Sequence, residues 1–182
     1  VLQRLYEYHK LVTYPRTDSR YLTTDMEATM LERLQSMASA YSEEVKPLLA
    51  NKGRVVAKRV FNNSKVTDHH AIIPTEERVR LEDLSADERK IYDLIARRFL
   101  TLFYPPYKYE TIQAAVEVEG ETFTAAEKLV LDKGFKKITG REEEEPVRKL
   151  AAVKQDQSFT VQTVQLEQKW TEPPARYSEA DV

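Results

Sequence analysis

The sequence contains no cysteine, only four glycines and no apolar run long enough to cross a bilayer. Without cysteine there is no disulfide framework, no zinc site built from thiolates and no cysteine nucleophile. Without an apolar run of about 20 residues, no membrane-spanning helix is predicted. The formal net charge is also small, at −2, because 28 basic side chains nearly offset 30 acidic ones. A surface that binds a polyanion would therefore have to be local.

The first part of the chain has helical periodicity. Residues 2–10 have the pattern of the end of a helix, and the sequence Thr24–Glu27 has the form of a capping box that opens a helix over about 25–42. A second box, Ser85–Glu88, predicts another helix, which ends before Pro105-Pro106. We expect the apolar positions of that second helix to face the core: Ile91, Leu94, Ile95, Phe99, Leu102 and Phe103.

The later part of the chain alternates apolar and polar residues. Ile112–Val118 and Thr122–Ala125 alternate on either side of Glu119-Gly120, which predicts a β-hairpin. Phe159–Val161 and Val164–Leu166 alternate in two registers, which predicts strands separated by a bulge.

Together these patterns predict an α+β protein. We expect a helical and mixed domain over residues 1–105, followed by a β-rich domain over residues 106–182. The acidic run Glu142–Glu145 is most simply a solvated loop. With 41% hydrophobic residues among 182, the chain is long enough for one domain or two small ones.

The stretch LVTYPRTDSRYL, residues 11–22, contains a candidate nucleophile. The phenol of Tyr14 has a reference pKa of about 10, so its phosphate ester can form and be reversed without an external energy source. Attack on a phosphodiester also needs cationic partners for the phosphoryl oxygens, which Arg16 and Arg20 could supply, while Asp18 could orient one of them. Equally open is a structural interpretation, in which Tyr14 packs in the core and Arg16 and Asp18 form a surface ion pair.

The stretch TDHHAIIPT, residues 67–75, brings two adjacent histidines, His69 and His70. A histidine can donate a hydrogen bond to phosphate, act as a general acid or bind a metal. Neighbours in an extended segment point in opposite directions, so we expect at most one of the pair to face a given site. The alternative is one exposed histidine and one half-buried histidine with a structural role.

A third stretch, KWTEPPARYSE, occupies residues 169–179. Trp170, Arg176 and Tyr177 could form a stacking surface for single-stranded nucleic acid. A rigid linker into another domain is an equally simple interpretation, because two prolines interrupt the stretch.

Taken together, these three stretches resemble motifs of the type IA DNA topoisomerases, and the topoisomerase III branch most closely. LVTYPRTDSRYL resembles the active-site motif, TDHHAIIPT resembles a second motif, and TEPPARYSE resembles the segment that closes the arch-forming domain. The resemblance implies that Tyr14 forms a transient 5′-phosphotyrosyl link to single-stranded DNA, that Arg16 and His69 contact the scissile phosphate, and that Asp18 supports the site. The other motif residues, Thr17, Ser19, Arg20 and His70, would line the DNA-facing surface. Some members of the family carry glutamate at the position of His70.

The resemblance also implies what lies outside this chain. A toprim domain would bind Mg²⁺, and no acidic motif of that kind is present, so no metal ligand is predicted here. Residues 1–105 would be a truncated, winged-helix-like tyrosine domain (domain III), and residues 106–182 part of the β-rich arch (domain II). We expect a central fragment that binds single-stranded DNA without cleaving it alone. The expected whole enzyme is a monomer associated with the bacterial nucleoid in the cytoplasm.

Two rival functions are weighed against this one. Relaxases also pair a tyrosine with histidines, but they place their histidines two apart on one strand so that both bind a metal, whereas His69 and His70 are adjacent. The second rival is a module that binds single strands or proteins without catalysis. In that case Tyr14 would be buried against the helix predicted over 25–42.

Overall fold

The computed structural model describes residues 1–139, 150–174 and 176. Four helices precede a single β-hairpin: α1 (Leu2–Glu7), α2 (Met30–Met37), α3 (Ser42–Ala50), α4 (Ala86–Leu100), β1 (Lys108–Val118) and β2 (Glu121–Asp132). The two strands form an antiparallel sheet, and short 3₁₀ turns connect the helices. This mixture of helix and sheet is compatible with the predicted α+β class. Within the described ranges, no helix is both long and apolar enough to cross a bilayer.

The hydrophobic core is built by the helices and by the segments between them. All of its buried apolar residues lie between Leu5 and Phe103, with the exception of Ile138. In α4 the buried apolar side chains are Tyr92, Ala96, Phe99 and Leu100. The prediction that Leu94 faces the core is wrong. Leu94 is 66% exposed because it lies on the opposite side of the helix.

The capping box at the start of α4 is confirmed. The Ser85 hydroxyl accepts a hydrogen bond from the Glu88 backbone N–H, and the Glu88 carboxylate accepts one from the Ser85 N–H at 2.9 Å. Arg4 of α1 also contacts this carboxylate, with Nε 2.9 Å from Oε1. These hydrogen bonds from Ser85, and then the Arg4 charge, lower the pKa of Glu88. Glu88 therefore caps α4 and ties it to α1.

The other predicted capping box, and the single helix over 25–42, are wrong. Residues Thr24–Thr29 form a 3₁₀ helix, and only Met30–Met37 are α-helical. Asn63 explains the difference, because its side chain accepts a hydrogen bond from the Thr24 N–H and donates one to the Thr24 hydroxyl. The groups that would have capped a helix are thus occupied by a contact from a distant loop. The next helix, α3, was not predicted, since Pro47 lies inside it.

The predicted hairpin is confirmed and is longer than the alternation suggested. β1 and β2 pair from Val118 opposite Glu121 to Lys108 opposite Asp132, with one irregularity at Lys108. Glu119 and Gly120 form the turn with φ of 50° and 84°, the positive values that a two-residue turn of this kind requires.

The strands predicted after residue 158 are wrong. Phe159, Val161, Val164 and Leu166 lie outside any regular structure and are 51% to 98% exposed. Alternation alone does not make a strand, because the backbone N–H and C=O groups need a neighbouring strand as a partner. The described part of the chain offers that segment none. The acidic run Glu142–Glu145, and Tyr177 of the third motif, lie outside the described residues.

The two ends of the hairpin meet at one point on the helical part. The Phe135 N–H donates to the Pro105 carbonyl at 2.8 Å, which joins the chain after β2 to the chain before β1. Ile138 then enters the core at 3% exposure, and Arg97 of α4 donates to its carbonyl at 3.1 Å. Gly134 makes the close approach possible, because its φ is +46° and a Cβ there would lie 2.4 Å from the Pro105 carbonyl oxygen.

We expect Gly134→Ala to destabilise the protein more than Gly120→Ala does. Both glycines have positive φ, so both substitutions carry a backbone cost, but a Cβ at Gly120 meets no atom within 4 Å. Only Gly134→Ala adds a steric clash with backbone, which should cost a further ~1–3 kcal/mol. Urea denaturation of the two variants measures the free energy of unfolding. Equal losses would show that the close approach at Pro105 does not contribute to stability.

Candidate active site

The tyrosine segment is held by backbone pairing with the histidine segment. The Thr13 N–H donates to the Ile73 carbonyl, and the Thr75 N–H donates to the Leu11 carbonyl, both at 3.0 Å. Between these bonds, Val12 lies opposite Pro74 in an antiparallel bridge. This is the pair that makes no backbone hydrogen bonds of its own, so a proline, which lacks the N–H, is tolerated there.

The Thr13 side chain strengthens this pairing one residue before the tyrosine. Its hydroxyl accepts a hydrogen bond from the Ile73 N–H at 3.0 Å and donates one to the Ala71 carbonyl at 3.3 Å. The backbone on both sides of Ile72 is therefore fixed to the residue that precedes Tyr14. Nothing in the sequence indicated this role beyond the presence of a threonine next to the tyrosine.

Tyr14 lies outside the hydrophobic core and is half-buried between two rings. Its ring centroid is 4.2 Å from that of His69, with the planes tilted by 38°. On the other side, Tyr6 of α1 meets Tyr14 edge to face, at 5.4 Å and 85°. No hydrogen bond joins the Tyr14 hydroxyl to any described residue. The phenol is thus held by its ring while its oxygen is left available.

Two hydroxyls of the motif bind backbone. Thr17 donates to the His69 carbonyl at 3.0 Å and accepts from the Ser19 N–H at 3.0 Å. Ser19 donates to the Lys65 carbonyl at 2.8 Å. The loop after Tyr14 is therefore fastened to the segment that carries His69. These contacts give Thr17 and Ser19 a structural use in addition to the position on a DNA-facing surface expected for them.

Of the two adjacent histidines, His69 is the one with a ring contact to Tyr14 in the described chain. His69 is exposed, whereas His70 is half-buried. Nδ1 of His70 lies 2.8 Å from the Ala71 carbonyl oxygen, so that nitrogen carries the proton and donates it to the carbonyl.

The charged residues of the motif face solvent. Arg16, Asp18 and Arg20 are exposed, and none makes a hydrogen bond or an ion pair with a described residue. The ion pair that Asp18 was expected to make with an arginine is therefore not formed within the described ranges. Two guanidinium groups remain at the surface within six residues of Tyr14, where they can bind an anion.

Helix α2 supports the histidine segment from behind, which the sequence did not reveal. Arg33 is buried, and its Nη1 donates to the Pro74 carbonyl at 2.6 Å while Nη2 lies 2.6 Å from the Glu76 carboxylate. Desolvation lowers the pKa of Arg33 although Glu76 opposes the shift. Ser36 adds a hydrogen bond to the Thr75 carbonyl at 3.0 Å. The feature of the sequence that could have indicated this role is an arginine in the middle of a helix, at a position that faces the core.

The described residues form no cluster of metal-binding side chains. Over 1–139, 150–174 and 176, no group of three His, Cys, Asp or Glu side chains could hold one. His69 and His70 therefore do not belong to a metal site of the relaxase kind in this part of the chain. What the arrangement offers is a phenol with an available oxygen, a neighbouring imidazole and nearby guanidinium groups. This set suits transfer of a phosphoryl group to the tyrosine.

The chain belongs to the DNA topoisomerase family, whose model matches residues 1–182. Among curated proteins it is 44% identical over 185 residues to DNA topoisomerase 3 of Bacillus licheniformis, and 44% identical over 186 residues to DNA topoisomerase 3 of Bacillus subtilis. It is 43% identical over 182 residues to DNA topoisomerase 3 of Staphylococcus aureus. These alignments cover 98% to 100% of this chain and 25% of each relative. The resemblance to the type IA topoisomerase III branch is therefore confirmed, and the chain spans about a quarter of the length of these relatives.

We expect Thr17→Val to loosen the contact between His69 and Tyr14, whereas Thr17→Ser should preserve it. Valine has nearly the same shape as threonine but cannot donate to the His69 carbonyl, and the loss of one such hydrogen bond costs about 1 kcal/mol. Nuclear Overhauser effects between the two rings report the contact, and urea denaturation reports the stability. Unchanged ring contacts in Thr17→Val would show that the hydroxyl does not position His69.

Proposed function

We propose that this chain supplies the tyrosine nucleophile of a type IA DNA topoisomerase that acts on single-stranded DNA. The observation that carries the proposal is the packing of Tyr14 against His69 at 4.2 Å, with the Tyr14 hydroxyl unbonded and the Arg16 guanidinium exposed two residues away. A tyrosine kept only for packing would lie in the core, and Tyr14 does not.

In the proposed reaction the Tyr14 oxygen attacks a phosphodiester phosphorus. The Tyr14 phenol loses its proton as the bond between tyrosine oxygen and phosphorus forms. The bond between phosphorus and the 3′ oxygen breaks, and the leaving 3′ oxygen takes up a proton, so the number of protons is unchanged. The product is a 5′-phosphotyrosyl strand and a separate 3′-hydroxyl end. Because one ester replaces another, the 3′-hydroxyl can attack the same phosphorus and restore the strand without an energy source. Between the two steps a second strand passes through the gap.

Arg16 and His69 have distinct tasks in this proposal. The Arg16 fork would bind the non-bridging oxygens of the reacting phosphate, where negative charge increases in the transition state. His69 lies against the phenol ring and would donate a hydrogen bond to the same phosphate. Asp18 would act electrostatically at the edge of the site, while Arg20 and His70 would contact the DNA.

Mg²⁺ belongs to the proposal for the longer protein. The described residues contain no group of three side chains that could hold a metal ion, so no step above is assigned to it. We place the metal on a toprim domain elsewhere in the longer protein, of which this chain matches about a quarter in its relatives. When bound there, the ion would offset charge on the DNA backbone.

The proposal also assigns the two parts of the chain. Residues 1–105 would be the winged-helix-like tyrosine domain, and residues 106–182 a part of the arch that moves when the gate opens. We propose that the whole enzyme works as a monomer on DNA of the bacterial nucleoid, where it relaxes or decatenates strands.

We expect a covalent DNA adduct on Tyr14 when this chain replaces the matching quarter of the Bacillus licheniformis DNA topoisomerase 3. The chimera, a short single-stranded oligonucleotide and Mg²⁺ are mixed and then denatured, and the intact mass is measured. Tyr14→Phe should abolish the adduct, because phenylalanine has no oxygen to attack phosphorus. The 182-residue chain alone should form none.

The outcomes separate the three functions considered. An adduct that survives Tyr14→Phe would exclude the proposed nucleophile. An adduct from the isolated chain would point to a complete site within it and favour a relaxase. Binding of single strands without any adduct in the chimera would leave a non-catalytic binding module.

We expect Arg16→Ala in the same chimera to reduce cleavage far more than binding. Its guanidinium would act mainly on the transition state, so the cleavage rate should fall on the order of 100-fold while the affinity for the oligonucleotide changes much less. Arg80→Ala is the matched control, since Arg80 is also exposed and its guanidinium group has no partner among the described residues. Equal losses of cleavage and binding would remove the catalytic assignment of Arg16.

A further inference from the structure

Beside the tyrosine site lies a pocket of ≈ 280 Å³ to which the proposed reaction assigns no task. The polar residues that line it are Thr17, Ser19 and Arg20 of the tyrosine motif and Arg98 on helix α4. The rest of the lining is apolar and comes from four separate parts of the chain: Leu22, Val60, Ala71–Ile73, and Phe99 with Leu102.

The pocket has the chemistry of a nucleotide site. A nucleobase has apolar faces and a polar edge, and it is linked to anionic phosphates. An apolar pocket that is also lined by hydroxyl-bearing residues and arginines is therefore complementary to a nucleotide. The volume is just below the ~300–1,000 Å³ typical of pockets for drug-sized ligands, which suits one base better than a larger molecule.

Both arginines that line the pocket are available for phosphate. Arg20 and Arg98 are exposed, and neither guanidinium group has a hydrogen bond or an ion pair with a described residue. They belong to parts of the chain that are distant in sequence, one to the tyrosine motif and one to the last turn of α4. Two arginines with unpaired guanidinium groups thus line one largely apolar pocket. Their positive charge complements an anionic ligand.

The pocket is also within reach of a strand attached to Tyr14. Thr17, which lines the pocket, is three residues from Tyr14 and donates to the His69 carbonyl. Three residues span at most about 10 Å, which corresponds to about three stacked nucleotides at ~3.4 Å each. A base within three nucleotides of a phosphate at Tyr14 can therefore enter the pocket.

We propose that this pocket binds a nucleobase on the 5′-phosphoryl side of the break, with Arg20 and Arg98 on the adjoining phosphates. The inference rests on the proposed function, since the polarity of the strand follows from a link between Tyr14 and a 5′ phosphate. It adds a second, non-covalent hold on the strand that stays with this chain while the other end separates. Arg98 thereby becomes a DNA-binding residue that the tyrosine motif does not contain.

The first test uses the 182-residue chain and a 5′-phosphorylated tetrathymidylate, followed by the methyl signals of Ile72, Ile73 and Leu102 in NMR spectra. We expect these methyl groups to shift through the ring current of a bound base. The probe with abasic sugars in place of the nucleotides should bind through its phosphates without producing these shifts. Identical shifts from the abasic probe, or no methyl shift at saturation, would overturn the proposal.

The second test compares two variants of helix α4 in the same titration. Arg98→Ala should weaken binding roughly tenfold, the effect of losing one charge-assisted contact. Lys90→Ala removes the same charge from an exposed position on the same helix that does not line the pocket, so it should have a much smaller effect. Equal effects of the two variants would mean general electrostatic attraction and would also overturn the proposal.

The third test separates this inference from the proposed function. In the chimera, Arg98→Ala should still allow the adduct on Tyr14 but should weaken the preference for particular cleavage positions. If Arg98→Ala forms the adduct with an unchanged preference for cleavage positions, the proposal for the pocket is rejected and the proposed nucleophile is retained. The pocket would then be covered by another part of the longer protein. Methyl shifts in the isolated chain without any adduct in the chimera would reject the nucleophile and retain the pocket.

Discussion

The backbone pairing of Leu11–Thr13 with Ile73–Thr75 is the constraint on which the candidate site depends. It joins segments about 60 residues apart in the sequence. Tyr14 follows the paired Thr13 directly, and His69 lies four residues before the paired Ile73, so the pairing brings their rings close together. Ring packing alone would not fix this arrangement, since an aromatic contact contributes only about 1 kcal/mol. The geometry of the site is therefore determined by main-chain hydrogen bonds that lie beneath it, and the exposed side chains can be replaced with little effect on the frame.

Neighbouring residues of the candidate site differ in burial: the paired backbone segments are buried, and charged side chains beside them are exposed. Val12 and Pro74 are almost fully buried, whereas Arg16 and His69 are exposed. Arg33 and Ser36 of α2 occupy the carbonyls of Pro74 and Thr75, so the supporting helix satisfies backbone groups that a loop of this kind would otherwise leave to water. A rigid support and an open surface are both needed where a large polymer must approach a fixed nucleophile.

Sequence patterns were informative where the determining interactions are local. The Ser85–Glu88 box and the Glu119-Gly120 turn depend on residues two or three apart, and both are confirmed. The patterns failed where a distant residue decides: Asn63 occupies the groups of Thr24, and the segment around Phe159 and Leu166 has no partner strand in the described chain. The same distinction applies to the site. The motif indicated Tyr14 and His69 through resemblance, but it did not reveal Arg33, because the role of Arg33 arises from contacts with Pro74 and Glu76 across the fold.

The joining of both ends of the hairpin at Pro105 and Phe135 has a mechanical consequence. The hairpin is an arm about 36 Å long, from 11 residues at ~3.3 Å each, and both of its ends join the helical part beside the hydrogen bond between Pro105 and Phe135. A force applied near Gly120 acts as a torque at the attachment point. Arg97 and Ile138 transmit that torque to α4 and to the core. The segment that carries Tyr14 is hydrogen-bonded to residues 71–75 instead, so bending the arm need not displace Tyr14.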